Sequence, residues 1–476
     1  MKIVIVGGGI SGLTAYLALQ KHLPKPAPPA PDHEYTIYEP YNTSPEATSH
    51  ERAQGATHSS ALTVGGGLGV GPNGLHVLHR LDADLLRDIV SSGYMVDHSN
   101  LKSKHGRLLV KLESSGTGGR PRGPDQQPRM HMLAISRHAL WSRLRRAVPD
   151  TVIVNKRVSQ VIAVADGPNL VGFDDGSPPV HADLVIGADG LKSTVKHALF
   201  AEAEADPYPP HYEGLVGVGG FIPSDSVKHL VETGSMNFIF GGNGFFGYFY
   251  AESASSDLNR ASPCHVSQPG DLLAWWSTYA IEKSPPDSRS LDTEDVTRQL
   301  QERYVHWTDP VVQKIIREIS VESMWPTWTS PQLPTWERDG VVLVGDAAHS
   351  LPPTSGQGSS QALEDVEALV MFLSHQLRRV YAEKGQPFSA RVEKEAIKVA
   401  AKQYEEMRRP RVEAILARAK NMQDRKRDMG VVQEYVMYAF MWLMGECLVV
   451  VLKSVTMSYD IDADDDGGNR LLSECL

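Results

Sequence analysis

Residues 2–22, KIVIVGGGISGLTAYLALQKH, carry the reading that decides the fold. Lys2 to Val6 is short, apolar and β-branched, which marks a buried strand, and from Leu13 to His22 the apolar residues recur at helical spacing. Between the two, Gly7, Gly9 and Gly12 complete a GxGxxG turn. The first glycine permits the tight turn, the second admits a pyrophosphate to the backbone, and the third lets helix pack on strand. The free N–H groups at the helix start then attract the anion, and Ser11, inside the turn, is assigned to the same site. The spacing recurs at Gly69, Gly71 and Gly74 and at Gly242, Gly244 and Gly247. No convincing apolar strand leads into the first of these. The second joins Met236–Phe240 to Tyr248–Tyr250 and reads as a hairpin.

Working outward, Tyr35 to Tyr38 reads as the second strand of a βαβ unit, closed by Glu39. A carboxylate there accepts hydrogen bonds from ribose hydroxyls. Its offset exceeds the usual ~20 residues because Leu23–Pro31, LPKPAPPAP, is a loop: proline lacks the N–H that a helix or strand interior needs. An acid at this point favours an adenosine without a 2′-phosphate; a solvated strand-end glutamate is the alternative. From Val341 the chain returns to the opening pattern with VVLVG, and residues 362 to 420 read as largely helical. Ser136 to Val148 reads as a basic helix, a helix is expected from Leu75, and Gly116 to Pro128 reads as a polar loop.

Of 476 residues, 41% are hydrophobic and 22% charged, enough for a sizeable core and against wholesale disorder. The net charge of −10 leaves no polyanion footprint, so no nucleic-acid partner is expected. Cys264, Cys447 and Cys475 are scattered and odd in number, against a disulfide framework or zinc site and in keeping with a reducing, cytoplasmic setting. The run Ile3 to Val6 is too short for a secretory signal, which needs roughly 7 to 15 apolar residues. Tyr435 to Leu452 is apolar but holds Glu446, costly in lipid, so it reads as a packing helix with membrane contact as the alternative. Asp462, Asp464, Asp466 and Gly467 begin like a calcium loop, but Ser473 stands where a glutamate is needed, leaving a solvated acidic tail. No G-x-S-x-G, HExxH or Walker A sequence is present to support a hydrolase or kinase.

GGGISG with Glu39, then ADLVIGADGLKSTVK, then VVLVGDAAHSLPPTSGQGSSQALEDVEAL, in that order over residues 1 to 420, resemble the FAD-dependent aromatic hydroxylase-type (group A) monooxygenases. Salicylate hydroxylase-like enzymes and fungal secondary-metabolite monooxygenases are most similar. The resemblance implies an α/β fold, with a Rossmann-type FAD-binding domain (glutathione-reductase-like) split by an inserted mostly-β substrate domain and followed by a helical C-terminus. Residues 1–200 and 335–410 would form the FAD-binding domain, with substrate-domain strands interleaved near 75–135; residues 205–334 the substrate domain; residues 411–476 a helical segment and acidic tail. It also implies that Asp189, with Gly190, touches FAD and the nicotinamide cofactor, and that Asp346 binds the ribityl chain. Gly356, Gly358 and Ser359 would lie along the flavin ring, Arg137 would contact FAD, and Gly66 would make a backbone contact. Lys192 and Lys196 replace frequent arginines, Ser360 a frequent asparagine, and Gly219 a common arginine.

The function so implied is hydroxylation of an apolar aromatic (phenolic, polyketide or indole-type) secondary metabolite with NAD(P)H, NADPH favoured, and O2. Epoxidation of an alkene in a polyene or terpenoid is the alternative, and a non-catalytic carrier of the same fold a further one. The resemblance makes Tyr212 and Lys192 the catalytic candidates, since a phenol can bond a substrate hydroxyl and an ammonium can stabilise a phenolate; an ordinary strand-start tyrosine and a solvated loop lysine are the alternatives. Phe221, Phe238, Phe240, Phe245, Phe246, Phe249, Trp275 and Trp276 supply aromatic surface, about half of it expected in the substrate domain's own core by strand alternation. His349 is read as a packing residue.

Overall fold

The computed structural model describes residues 1–26, 30–43, 66–113, 129–284, 292–319, 321, 324–382, 390–423 and 428–447. The loop Gly116–Pro128, the run Arg425–Arg427, the acidic tail and residues 448–452 of the apolar stretch lie outside them, as does part of the proline-rich insertion.

Lys2–Val6 forms the expected strand and pairs in parallel on one side with Glu34–Tyr38 and on the other with Leu184–Gly187. The sheet is extended by Val341–Leu343 and Glu337–Arg338 at one end and Ile153–Val154 at the other. Only the Glu337 edge strand is antiparallel. Parallel strands need both faces covered, and the Lys2 strand accordingly reads as a continuous buried run from Ile3 to Val6. Helix Ile10–His22 and the long helix Gly358–Ala382 pack on this core through Leu13, Leu19, Leu363 and Leu369.

A second, seven-stranded sheet runs in the order Met324–Thr329, His211–Pro223, Leu272–Ala280, Gly244–Tyr250, Ser235–Gly241, His98–Ser103, Leu108–Glu113. Two of its strands, His98–Ser103 and Leu108–Glu113, come from residues 98–113 and the other five from residues 211–329. Gly241 pairs with Gly244, so the third GxGxxG is a hairpin. One face of the sheet carries Phe246, Tyr248, Tyr250 and Trp275 against helices Thr293–Tyr304 and Pro310–Glu318. The other carries Phe238, Phe240, Phe245, Phe249 and Trp276.

The structure corrects two local readings. A strand, Gly67–Val70, does lead into the Gly69–Gly74 repeat, and the following helix starts at Pro72 rather than Leu75. GLGV has little strand propensity of its own; pairing with the apolar strand Met132–Ser136 holds it extended. At the other end, helix Ala390–Gln423 passes unbroken through the boundary expected at 410/411, with Pro410 inside it. Helix Val431–Cys447 then lies back across the large sheet, burying Tyr438 and Met441 against Phe240 and Phe245. No helix among the described residues is long and apolar enough to cross a membrane.

Candidate functional site

Two kinds of glycine surround the N-terminal turn. At Gly7, with φ +107°, a Cβ would stand 2.4 Å from the Ala188 carbonyl oxygen, and at Gly12 it would stand 1.9 Å from that of Gly7. These two are required by packing. At Gly9, Gly66, Gly190, Gly356 and Gly358 a Cβ would meet nothing within 4 Å. Bare backbone therefore faces open space at five positions from four separate stretches of chain.

Glu39 is buried beside this turn, its Oε2 accepting from the Gly8 N–H at 2.7 Å and its Oε1 from the Tyr41 N–H at 3.3 Å. Burial raises its carboxyl above the ordinary value, and the two N–H groups and Arg157 oppose that rise. Trp141, on helix Arg137–Arg146, donates from Nε1 to the Gly8 carbonyl at 2.9 Å and so fixes the turn from the opposite side. The same helix starts where the Arg137 N–H meets the Gly66 carbonyl at 2.9 Å. Arg137 and Gly66, far apart in sequence from the turn, are thus brought to it. Sequence reading missed Trp141, whose only signal is an indole within a basic helix.

The Val341 strand ends in a turn at Gly345, φ +61°, placing Asp346 at the first position of a four-residue helix. A Cβ at Gly345 would lie 2.5 Å from Ser11 Oγ, which shows how tightly this turn sits on the N-terminal loop. The Asp346 carboxylate is only partly buried and accepts no hydrogen bond from a described residue. Ser359, at the start of helix Gly358–Ala382, donates to the Gly69 carbonyl at 3.1 Å, and Ser360 Oγ accepts from the Gly71 N–H at 3.0 Å. The Gly69–Gly74 repeat is therefore a docking turn for that helix.

Asp189 turns one carboxylate oxygen to the Thr194 and Val195 N–H groups, at 2.7 and 3.1 Å, while the other is buried without a partner. Burial raises its carboxyl, against those bonds. Lys192 is exposed in the loop beyond. Tyr212 donates its hydroxyl to the Ile281 carbonyl at 2.9 Å and packs on Trp328. No hydrogen bond or ring contact between described residues joins Tyr212 to Lys192 or either to the glycine turns. Lys196, singled out as a replaced arginine, is buried and holds Asp206 at 2.7 Å.

A cluster that sequence reading did not single out lies beneath Asp346. Asp365 is fully buried; its Oδ2 accepts from the Gly345 N–H at 2.9 Å and lies 2.6 Å from His349 Nε2, and its Oδ1 accepts from Arg408 Nε at 2.9 Å. His349 is thus the packing residue expected, bonded to an acid. Adjacent acids in an otherwise apolar helical stretch, LEDVEAL, were the available signal.

The aromatic face of the large sheet approaches the same region. A Cβ on Gly67 would stand 2.4 Å from the Phe249 ring, and Phe249 packs on Trp276 at 5.7 Å. Trp276, Phe238 and Phe221 are partly exposed, while Phe246 and Trp275 stack at 5.7 Å in the opposite, buried face. Of the eight aromatics singled out, Phe246 and Trp275 lie on that face and the other six share the opposite one, so alternation divides them less evenly than the half expected.

The residues fit a flavin dinucleotide: bare backbone that a side chain would fill, a buried acid bonded to the glycine turn, a second acid with no hydrogen bond among the described residues, and an Asp189 oxygen buried without a partner among them. The model for the FAD binding domain matches residues 145–419. Among curated proteins, 6-methylsalicylate 1-monooxygenase atA of Aspergillus terreus is 25% identical over 389 residues, covering 78% of this chain and 74% of that protein. The chloroplastic zeaxanthin epoxidase of Spinacia oleracea is 26% identical over 423 residues, and this chain spans about half, 52%, of its length. Among solved structures, Klebsiella pneumoniae HpxO complexed with FAD and uric acid and a salicylate hydroxylase substrate complex each superpose with a TM-score of 0.65. Coverage is 93% of both chains in each pair, at 20% and 18% identity, so the likeness is one of fold. With more than half of its length matched by that model, the chain belongs to the FAD binding domain family and, within it, to the FAD-dependent monooxygenases of the aromatic-hydroxylase type.

Proposed function

We propose that the protein binds one FAD noncovalently and uses NAD(P)H, NADPH favoured, and O2 to hydroxylate an apolar aromatic metabolite lying against Phe221, Phe238 and Trp276. The observation that carries this reading is side-chain-free backbone at Gly9, Gly66, Gly190, Gly356 and Gly358, with Glu39 bonded to the first glycine turn and the Gly345 turn before Asp346 seated against Ser11. When bound, FAD takes two electrons from NAD(P)H and delivers one atom of O2 to the substrate, the other leaving as water.

The chain's own residues supply binding and orientation. Gly7, Gly9, Ser11 and Gly12 offer the helix N-terminus to the pyrophosphate, and Glu39, already anchored on Gly8, accepts from the adenosine ribose. Asp346, with acceptor capacity unused by described residues, takes the ribityl hydroxyls. Gly356, Gly358 and Ser359 bring backbone amides to the ring, where the helix end favours negative charge. Arg137 and the Asp189–Gly190 segment complete the cradle. The half-exposed aromatic face excludes water from the substrate side.

Oxygen-uptake screening of phenolic, indolic and polyene compounds with NADPH and with NADH, read by mass for a product with one added oxygen, tests the proposal. Reduced cofactor consumed without any oxygenated product across the panel would sink it. Asp346→Ala removes a charged acceptor worth roughly 1.5–3 kcal/mol, so its FAD affinity is expected to fall about tenfold or more; unchanged occupancy would remove Asp346 from the site.

Epoxidation of an alkene is the second reading, and one observation favours it: the Tyr212 hydroxyl is engaged by the Ile281 carbonyl, and an alkene needs no phenolate partner. If Tyr212 and Lys192 instead orient a phenol, Tyr212→Phe is expected to keep its FAD but release hydrogen peroxide in place of product. Full coupling of NADPH use to product in that variant would leave epoxidation as the better reading.

A further inference from the structure

Helix Ala390–Gln423 contributes nothing to the glycine cradle, yet one of its side chains reaches the supports of two cofactor loops at once. Arg408 is 4% exposed. Its Nε donates to Asp365 Oδ1, and Asp365 holds the Gly345 N–H and His349, the two ends of the turn that presents Asp346. Its remaining nitrogens donate to Glu364 Oε2 and Gln361 Oε1, both at 2.5 Å. Glu364 and Gln361 continue to Gln357 and to Asn73: Gln361 Nε2 donates to Gln357 Oε1 at 3.3 Å, and Asn73 Nδ2 to Glu364 at 2.5 Å and to Gln357 at 3.1 Å. Gln357 sits between Gly356 and Gly358, and Asn73 follows the Gly71–Pro72 turn. One planar guanidinium thereby ties together the Asp346 turn, the Gly356–Gly358 segment and the start of helix Pro72–Leu81.

We propose that Arg408 is a positioning residue for the cofactor, setting the spacing of the Asp346 turn and the Gly356–Gly358 segment through Asp365 and Glu364. The assignment rests on the FAD reading of those two loops but not on the identity of the substrate or the oxygenation product. A fork of fixed geometry suits this task, because its donors reach two carboxylates in one plane, which a lysine ammonium cannot copy. Its charge also compensates Asp365 and Glu364 beneath the loops that would hold the flavin ring; without it their negative charge would disfavour the electron-rich reduced form.

The test compares Arg408→Gln, Arg408→Lys and Arg409→Gln in the full chain, stripped of flavin and titrated with FAD well below each variant's melting temperature. Arg409, next along the same helix, bonds the Leu333 carbonyl at 2.7 Å and stacks on Trp336, which also packs on the His349 ring; it makes no hydrogen bond to either loop among the described residues. Arg408→Gln is expected to weaken FAD binding at least tenfold and to make the potential of the bound flavin more negative. Arg408→Lys, which keeps the charge but not the fork, is expected to recover the potential and not the affinity. Arg409→Gln is expected to lower the melting temperature while FAD affinity stays within twofold. Equal weakening by Arg409→Gln would reduce Arg408 to helix packing and overturn the assignment. So would an Arg408→Gln protein with FAD affinity within twofold of the parent and an unmoved potential. If Arg408→Gln fails to fold, Arg408→Lys decides alone: affinity and potential both at the parent's values refute the proposal.

Discussion

Gly9→Leu is expected to fold as the parent does and to purify without flavin, with FAD affinity reduced at least a hundredfold, about 2.7 kcal/mol. The backbone at Gly9 is extended, φ −78° and ψ −171°, so leucine meets no conformational penalty there. Its Cβ would enter space where nothing of the protein lies within 4 Å. Stability of the apoprotein should therefore fall by no more than about 1 kcal/mol, the difference between glycine and an aliphatic residue at a helix N-cap. The neighbouring Gly12→Ala should behave in the opposite way. Its Cβ would lie 1.9 Å from a backbone oxygen with no flexible side chain to yield, so helix Ile10–His22 must move off the sheet. Overpacking of this kind costs about 1–3 kcal/mol or more, and the variant is expected to be found insoluble or thermally weakened before flavin is considered. Flavin content and melting temperature of the two proteins separate the effects. A yellow Gly9→Leu protein with full stoichiometry would show that the space before Gly9 is not the cofactor's.

Asp365→Asn is expected to cost about 3–5 kcal/mol at neutral pH, the range for breaking a buried ion pair by removing one partner. Burial alone would raise the Asp365 carboxyl; the facing His349 and Arg408 outweigh it and hold the group down to about 2. Glu364 is lowered in the same way by Arg408 and Arg411, again against burial. A depressed carboxylate contributes stability above its unfolded value, near ~4, and loses it as pH falls through the folded one. The parent should thus lose this contribution between about pH 4 and 2. Asp365→Asn, having lost its share already, should show a shallower fall over the same interval. Glu39 runs the other way: its raised carboxyl helps the apoprotein at low pH, and that help fades as pH rises through its folded value. Urea unfolding followed by circular dichroism at neutral and acid pH measures both slopes. Parallel acid limbs for parent and variant would show that the cluster is not held ionised.

The glycine turn, Glu39, the hairpin at Gly242 and the return of the parallel strand at Val341 were legible because each is a local pattern: a period, a turn residue, an acid at a strand end. The strand Gly67–Val70 was not, since its extended form comes from pairing with Met132–Ser136, distant in sequence. The same holds for Trp141 on Gly8 and for the Glu364–Asp365–Arg408 cluster. Their residues look unremarkable where they stand and acquire meaning from partners dozens or hundreds of positions away. Tyr212 shows the converse. The family resemblance suggested chemistry for it, and the Ile281 carbonyl to which its hydroxyl donates lies 69 positions further on.

The order in which the central sheet is assembled bears on how the protein is made. Lys2–Val6 leaves the ribosome before its neighbour Leu184–Gly187, and Val341–Leu343 follows later still. Until Leu184–Gly187 pairs with it the Lys2–Val6 strand has one bare hydrogen-bonding edge, and Leu184–Gly187 then has one until Val341–Leu343 arrives, the kind that pairs with foreign strands. The guanidinium of Arg408 arrives after every loop that it braces. At the proposed site, flavin capture would wait for Asp346, Gly358 and Arg408 to be made. A nascent chain arrested before Val341 would carry a complete glycine turn while Leu184–Gly187 kept an open edge, the unpaired kind that makes folding intermediates prone to aggregate.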